Sequence, residues 1–297
     1  MEVFVIVVTT PTGDIGGQVL DRLLNSGEAV RVIARDSSRL PERVQAHVEV
    51  IEGSHSDAGT ITKALEGAHS LFWLVPPAGP DNAETARRYY LQFAQAAGRE
   101  AARHDVRVVG VTSLGHGYPG EAGLLSAALA TDEVFENSGA PYRALALPFF
   151  MENLLRQAPV MKEQGAFSMA NAAGRPLPIV ATRDVAASAA TLLMDTTWHG
   201  QARIPLVSPD DLTPDTMAEV ISEVLGHTVH YHQVPLADFQ AAMAQRGMSR
   251  TAVQDFASMV AAQNNGIYEA EPRGTASVTA TGFRQWCKEV LKPAAQA

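Results

Sequence analysis

Three stretches of this 297-residue chain carry residue types that could do chemistry. The first is Thr10-Pro11-Thr12-Gly13-Asp14-Ile15-Gly16, directly behind the apolar run Val3–Val8. Glycines three apart, behind a strand and ahead of a helix, let backbone N–H groups and a helix N-terminus face a phosphate. Gly13 stands where a side chain would come between backbone and pyrophosphate, and Gly16 where helix and strand must touch. Thr10, Thr12, Asp14 and Ile15 complete this candidate cradle. Thr10 takes the place of the usual first glycine, and Pro11 removes one N–H donor. A plain βα turn with a helix cap is the alternative reading.

The second stretch begins at Arg35, which ends the strand-like run Val30–Ala34, with Arg39 four residues on. An acidic residue there would accept from a ribose 2′-hydroxyl, whereas a guanidinium can fork onto a 2′-phosphate. The expectation is NADP. Asp36 is adjacent, but strand alternation points it away from Arg35. The third stretch, Thr112-Ser113-Leu114-Gly115-His116-Gly117-Tyr118, follows the fifth strand, where ligands bind in parallel sheets. Ser113 is a candidate cofactor contact. His116, with Tyr118 nearby, could protonate a developing oxyanion, or be an exposed loop histidine.

An apolar wall for a substrate could come from Trp73, Phe149, Phe150, Met151 and Met169, with Asn153 hydrogen-bonding across the cleft. Packing between lobes explains the same residues without a ligand. His230 and His232 share one strand face but lack a third ligand nearby, so a solvated edge strand is preferred to a metal site. Cys287 falls on a helical stripe with Phe283, Trp286 and Val290, as a buried structural thiol would.

The elements needed to hold these groups are legible in the periodicity. Strands at 3–8, 30–34, 47–51, 70–75, 106–112 and 142–147 alternate with helices that follow Gly13, at 57–66, at 82–104 and at 124–137. That rhythm means βαβ units around a parallel sheet. After Pro148 it changes: a short helix at 149–157, a loop-rich stretch to 178, then a helix at 183–194 and a strand at 203–207. Helices follow at 216–225, 236–245, 251–263 and 283–291, and a frayed tail at 293–297. The expectation is a doubly wound Rossmann-type α/β lobe over 1–150, to which 183–207 returns, and a smaller helix-rich lobe over 151–297.

Composition narrows the function classes. Twenty-three Lys and Arg against 32 Asp and Glu leave a net charge of −9, which argues against electrostatic nucleic-acid or anionic-membrane binding. One cysteine excludes an internal disulfide and fits a reducing compartment. No apolar run approaches the roughly 20 residues of a membrane span. No basic leader precedes the first strand, so the expectation is a cytoplasmic protein.

The turn Thr10–Gly16, Ala34-Arg35-Asp36-Ser37-Ser38-Arg39, Leu74-Val75-Pro76-Pro77, Pro148-Phe149-Phe150-Met151-Glu152-Asn153-Leu154 and Thr182-Arg183-Asp184-Val185-Ala186 occur in the order seen in one family. Together they resemble the NmrA-like branch of the atypical short-chain dehydrogenases/reductases, over essentially the whole chain. The resemblance implies a Rossmann lobe, NADP(H) with Val75 and Pro76 among its contacts, and a cleft roofed by the C-terminal lobe. That branch contains quinone and dye reductases, isoflavone-reductase-like enzymes, and redox sensors that bind NADP without turnover. Two departures stand out. Thr10 replaces the branch's usual glycine, and no lysine lies between Lys63 and Lys162, so the Tyr-x-x-x-Lys dyad of ordinary members is absent. Ala128 falls where isoflavone-reductase-like members place a lysine. The function expected is NADPH-dependent reduction of an apolar, electron-poor quinone, enone or dye; the rival is a non-catalytic NADP sensor acting through a protein partner. A homodimer is compatible with either.

Overall fold

The computed structural model describes residues 4–79, 82–272 and 277–297. Its first half alternates β1 (Val5–Val8), α1 (Asp14–Asn25), β2 (Ala29–Ala34), α2 (Glu42–Gln45), β3 (Val48–Glu52), α3 (Ala58–Leu65), β4 (Ala68–Trp73), α4 (Ala86–Arg103), β5 (Arg107–Ser113), α5 (Leu124–Ser138) and β6 (Tyr142–Leu147). Next come β7 (Phe149–Phe150), a 3-10 segment at Met151–Gln157, α6 (Ala158–Gln164), β8 (Ala166–Met169), β9 (Ile179–Val180), α7 (Thr182–Met194) and β10 (Gln201–Val207). The chain closes with α8 (Pro214–Leu225), β11 (His230–Gln233), α9 (Leu236–Gln245), α10 (Arg250–Asn264), β12 (Ser277–Val278), α11 (Phe283–Trp286) and α12 (Lys292–Gln296).

Eight strands pair in the order β12-β10-β6-β5-β4-β1-β2-β3, every pairing parallel. Sequential strands run outward from β1 in both directions, so the crevice between β1 and β4 is the switch point of a doubly wound Rossmann-type sheet. Both faces are covered, which is why β1 reads as an unbroken apolar run instead of alternating. On one face Val8, Val32, Phe72 and Val109 pack under α1 and α7. On the other, Val7, Ile33, Leu71 and Val108 pack under α3, α4 and α5. A third cluster, including Met151, Leu154, Met161, Phe167, Met217 and Trp286, forms the core of the helix-rich C-terminal region.

Several elements differ from expectation for local reasons. The long helix starts at Ala86, not at 82, because Thr85 caps it, its side chain accepting from the Arg88 N–H. Residues 149–157 do not form one helix: Phe149 and Phe150 pair with β9 before the chain tightens into a 3-10 segment. The tail is not frayed. A π turn at Cys287–Leu291 carries the last helix past Pro293, and Ala295 is buried in the C-terminal core. Cys287 is fully buried, and burial raises its thiol pKa to about 12. His230 and His232 are exposed on β11, which pairs with β8. No described helix is long and apolar enough to cross a membrane.

Candidate functional site

A cleft of about 710 Å³ runs across the carboxyl ends of the central strands. Behind it, the buried Thr9 hydroxyl donates to the Phe72 carbonyl at 3.0 Å and accepts from the Leu74 N–H at 3.0 Å, clamping the end of β1 to β4. The next residue, Thr10, is forced into φ +50°, a conformation costly for a branched side chain. Its carbonyl accepts from the Gly13 N–H at 3.0 Å, closing the turn. A Cβ on Gly16 would stand 2.2 Å from that same carbonyl oxygen, so only glycine lets α1 seat this close. No side chain caps α1, whose first-turn N–H groups also lack intrahelical acceptors. The Thr10 hydroxyl is buried without a partner. Thr10, Thr12, Gly13, Asp14 and Ile15 all line the cleft.

At the end of β2, Arg35 and Arg39 line the cleft and are exposed. The acids beside them are engaged elsewhere. Asp36 accepts from the Ser38 hydroxyl at 2.6 Å and from its N–H at 3.0 Å, bonds that hold its carboxyl below the usual range. Glu52 accepts from the Ser37 hydroxyl. Neither guanidinium forms an ion pair among the described residues, although the charge of Arg39 also helps hold the Asp36 carboxyl low. Val75, Pro76 and Ser113 also line the cleft; the Ser113 hydroxyl donates to the Leu114 carbonyl at 2.7 Å.

His55 was not singled out from the sequence, yet it lines the cleft behind β3 while only 7% exposed. Its ring meets Trp73 and Phe93 edge-on, at 5.3 and 4.7 Å between centroids. Nε2 lies 3.2 Å from the Leu74 carbonyl oxygen. Burial lowers its pKa to about 4, so it is neutral at pH 7, and facing a carbonyl Nε2 must carry the proton. Trp73 itself is buried between the sheet and α4 and α5, and supports His55 instead of lining the cleft.

The expected acid and part of the expected wall lie outside the lining. His116 is exposed, because Gly115, at φ +111° and packed tightly on Ile267, turns the chain away from the strand ends. That loop is tied to Glu271, whose Oε2 accepts from the Gly115 and His116 N–H groups at 3.1 and 3.2 Å. Tyr118 packs on the C-terminal core. Phe149 and Phe150 alternate on β7, so Phe150 lines the cleft while Phe149, like Met151 and Met169, joins that core.

Beneath the loop, a buried polar network holds the end of β5. Asp132 on α5 accepts from the Tyr142 hydroxyl at 2.5 Å, the Thr112 hydroxyl at 2.7 Å and Arg203 Nη1 at 2.6 Å. Arg203 donates onward to Glu271 Oε1 at 3.1 Å and to the Ser113 carbonyl at 2.9 Å. Burial lifts Asp132 to about 6 against the pull of Arg203 and the two hydroxyls. These contacts join β5, β6, β10 and α5, fixing Thr112 and Ser113 at the cleft wall.

The far end of the cleft is built by α5 and the 3-10 segment. Leu124, Ala128 and Thr131 recur at i, i+4 and i+7 along α5 and line one side. Ala128 therefore puts a methyl, not an ammonium, into this wall, and no lysine lines the cleft. Tyr90 on α4 adds a phenol whose pKa burial raises to about 12, so it stays protonated. Asn153 and Arg156 line the opposite side. Glu152 between the lobes is a brace: its carboxylate accepts from the Thr182 N–H and from Trp286 Nε1, each at 3.1 Å.

A sequence model of the NmrA-like family matches residues 4–285. The chain belongs to that family. It is 27% identical over 268 residues to quinone oxidoreductase 2 of Escherichia coli (strain K12), covering 89% of this chain and 90% of that one. Its fold matches the Citrobacter sp. triphenylmethane reductase complexed with NADP(H), with a TM-score of 0.75 and 22% identity over 98% of this chain and all of the other. It also matches NmrA, a negative transcriptional regulator in complex with NADP, with a TM-score of 0.73 and 16% identity over 100% and 98% of the two chains.

Proposed function

We propose that the protein is an NADPH-dependent reductase of an apolar, electron-poor acceptor such as a quinone, enone or dye. The observation that carries this reading is a single continuous cleft. It joins a glycine-turn cradle and two unpaired guanidiniums to an apolar far wall of Leu124, Ala128 and Phe150. NADP fits the near end on the residues present. Gly13 and Gly16 leave the backbone bare, the Thr10 hydroxyl is buried without a partner, and Arg35 and Arg39 suit a 2′-phosphate. When bound, the cofactor supplies the hydride, two electrons with one proton.

The chain's own residues bind, orient and exclude water. The acceptor lies between α5 and Phe150, and a second proton reaches the reduced product from solvent. No lysine lines the cleft to lower a phenol's pKa for alkoxide chemistry, and burial holds the Tyr90 phenol high. A quinone or activated alkene needs no such acid, whereas a simple ketone does. Residues 1–150 with 183–207 form the nucleotide lobe in this reading, and residues 151–297 outside that return supply the acceptor lobe. The family likeness to a quinone oxidoreductase supports the acceptor class.

The absent lysine also favours a second reading, a sensor that binds NADP and signals to a protein partner. Titration with NADPH and NADH, followed by NADPH-oxidation assays over quinones, enones and ketones, separates the two. Oxidation with quinones or enones but not ketones supports the reductase. Tight NADPH binding without oxidation by any acceptor supports the sensor.

A further inference from the structure

The reductase reading leaves one charged group in the cleft without a task. Arg156 lines the far end, is exposed, and has no hydrogen bond or ion pair among the described residues. A 3-10 segment has three residues per turn, so Asn153 and Arg156 stack on one face. Met151 and Leu154 on a neighbouring face are buried in the C-terminal core at 0% and 1% exposure, which fixes the segment's rotation. Asn153 and Arg156 are thereby committed to the cleft. The side-chain amide of Asn153 is likewise without a partner among the described residues. Glu152, which also lines the cleft, turns its carboxylate to the Thr182 N–H and Trp286 Nε1 and forms no ion pair with Arg156.

Arg156 does not duplicate the arginines at the other end. It follows β6, and β6 lies four strands from β2 in the sheet order. At about 4.8 Å per strand the end of β6 is roughly 19 Å from the end of β2, which carries Arg35. The pyrophosphate cradle lies between them, at β1. A protein of net charge −9 thus presents a free guanidinium and an amide beside the apolar surface of Leu124, Ala128 and Phe150. We propose that the acceptor is a planar apolar molecule bearing an anionic substituent (a sulfonate, carboxylate or phosphate) and that Arg156, with Asn153, selects it. The inference rests on the reductase reading. An anion on the ring meets a two-pronged donor, while a cationic dye meets like charge.

The test compares 1,2-naphthoquinone with its 4-sulfonate in the wild type and in Arg156→Ala, Arg156→Lys and Arg156→Glu. A second arm measures binding of naphthalene-2-sulfonate, which cannot be reduced, by calorimetry, and a third measures NADPH affinity. The expected result for Arg156→Ala is about a ten-fold greater loss of kcat/KM on the sulfonated quinone than on the neutral one, carried by KM. Naphthalene-2-sulfonate should weaken in parallel, Arg156→Lys should recover part of both, and Arg156→Glu should improve a cationic triphenylmethane dye relative to wild type. Equal losses on the two quinones, or a loss of NADPH affinity matching the loss of sulfonate, would overturn the proposal. Should the wild type reduce neither quinone, the reductase reading fails, and the calorimetric arm still decides whether Arg156 receives an anion.

Discussion

The carbonyl oxygen of Thr10 lies 2.2 Å from the position a Cβ on Gly16 would take, whereas a Cβ on Gly13 would stand 3.4 Å from it. The two glycines of one turn therefore have different duties. Gly16→Ala drives a methyl into backbone and should destabilise the fold by at least about 2 kcal/mol. Gly13 has an extended φ of −86°, open to any residue, so Gly13→Val should keep the fold. Its branched side chain should still cost about a hundred-fold or more in affinity for NADPH and NADH alike. Urea melts and nucleotide titrations of the two variants check this. A Gly13→Val protein with undiminished affinity would show that the turn does not hold pyrophosphate.

Arg35 should discriminate between the nucleotides. Its guanidinium forms no ion pair among the described residues, with Asp36 turned to Ser38 and Glu52 to Ser37. Arg35→Ala should weaken NADPH about ten-fold and leave NADH nearly unchanged, a difference read by titrating both. Equal losses would make Arg35 a structural residue.

His55 should give the fold a pH dependence. Its pKa is lowered to about 4 by burial, against about 6.5 in an unfolded chain. Between these values the unfolded state binds more protons than the native one, so stability falls as pH drops through that window. The loss approaches about 3 kcal/mol at the acid end. In His55→Gln, where the side-chain amide can still donate to the Leu74 carbonyl, this part of the slope should vanish. Urea stability measured from pH 7 to pH 4 in both proteins decides it, and identical slopes would contradict the assignment.

His116 sits outside the cleft, held there by Gly115 and Glu271. His116→Ala should leave quinone reduction within about two-fold of wild type at every pH. A fall of the 10²–10⁴-fold usual for loss of a general acid would bring His116 back into the site.

The near end of the cleft was legible in the sequence because it is local. Gly13, Gly16 and Arg35 stand at fixed offsets from strand ends, and a parallel sheet puts those ends along one edge. Apolar character does not say which layer a side chain joins: Trp73 lies under α4 and α5, and Met151 in the C-terminal core. His116 depended on the direction of a glycine turn. The bracing role of Glu152 had no local signal, since its partners lie 30 and 134 residues away. The α5 face was available in principle: Leu124, Ala128 and Thr131 repeat at helical spacing, but nothing in that spacing says that the stripe faces a ligand and not a core.

The proposed reaction passes hydride from NADPH to a quinone in this cleft. Mixing the protein, pre-equilibrated with NADPH, against a naphthoquinone under anaerobic conditions tests it most directly. The expected result is loss of the reduced-nicotinamide absorbance one-for-one with hydroquinone formation, at a rate that saturates in quinone and falls with Gly13→Val. Tight NADPH binding with no oxidation above the protein-free rate would contradict it.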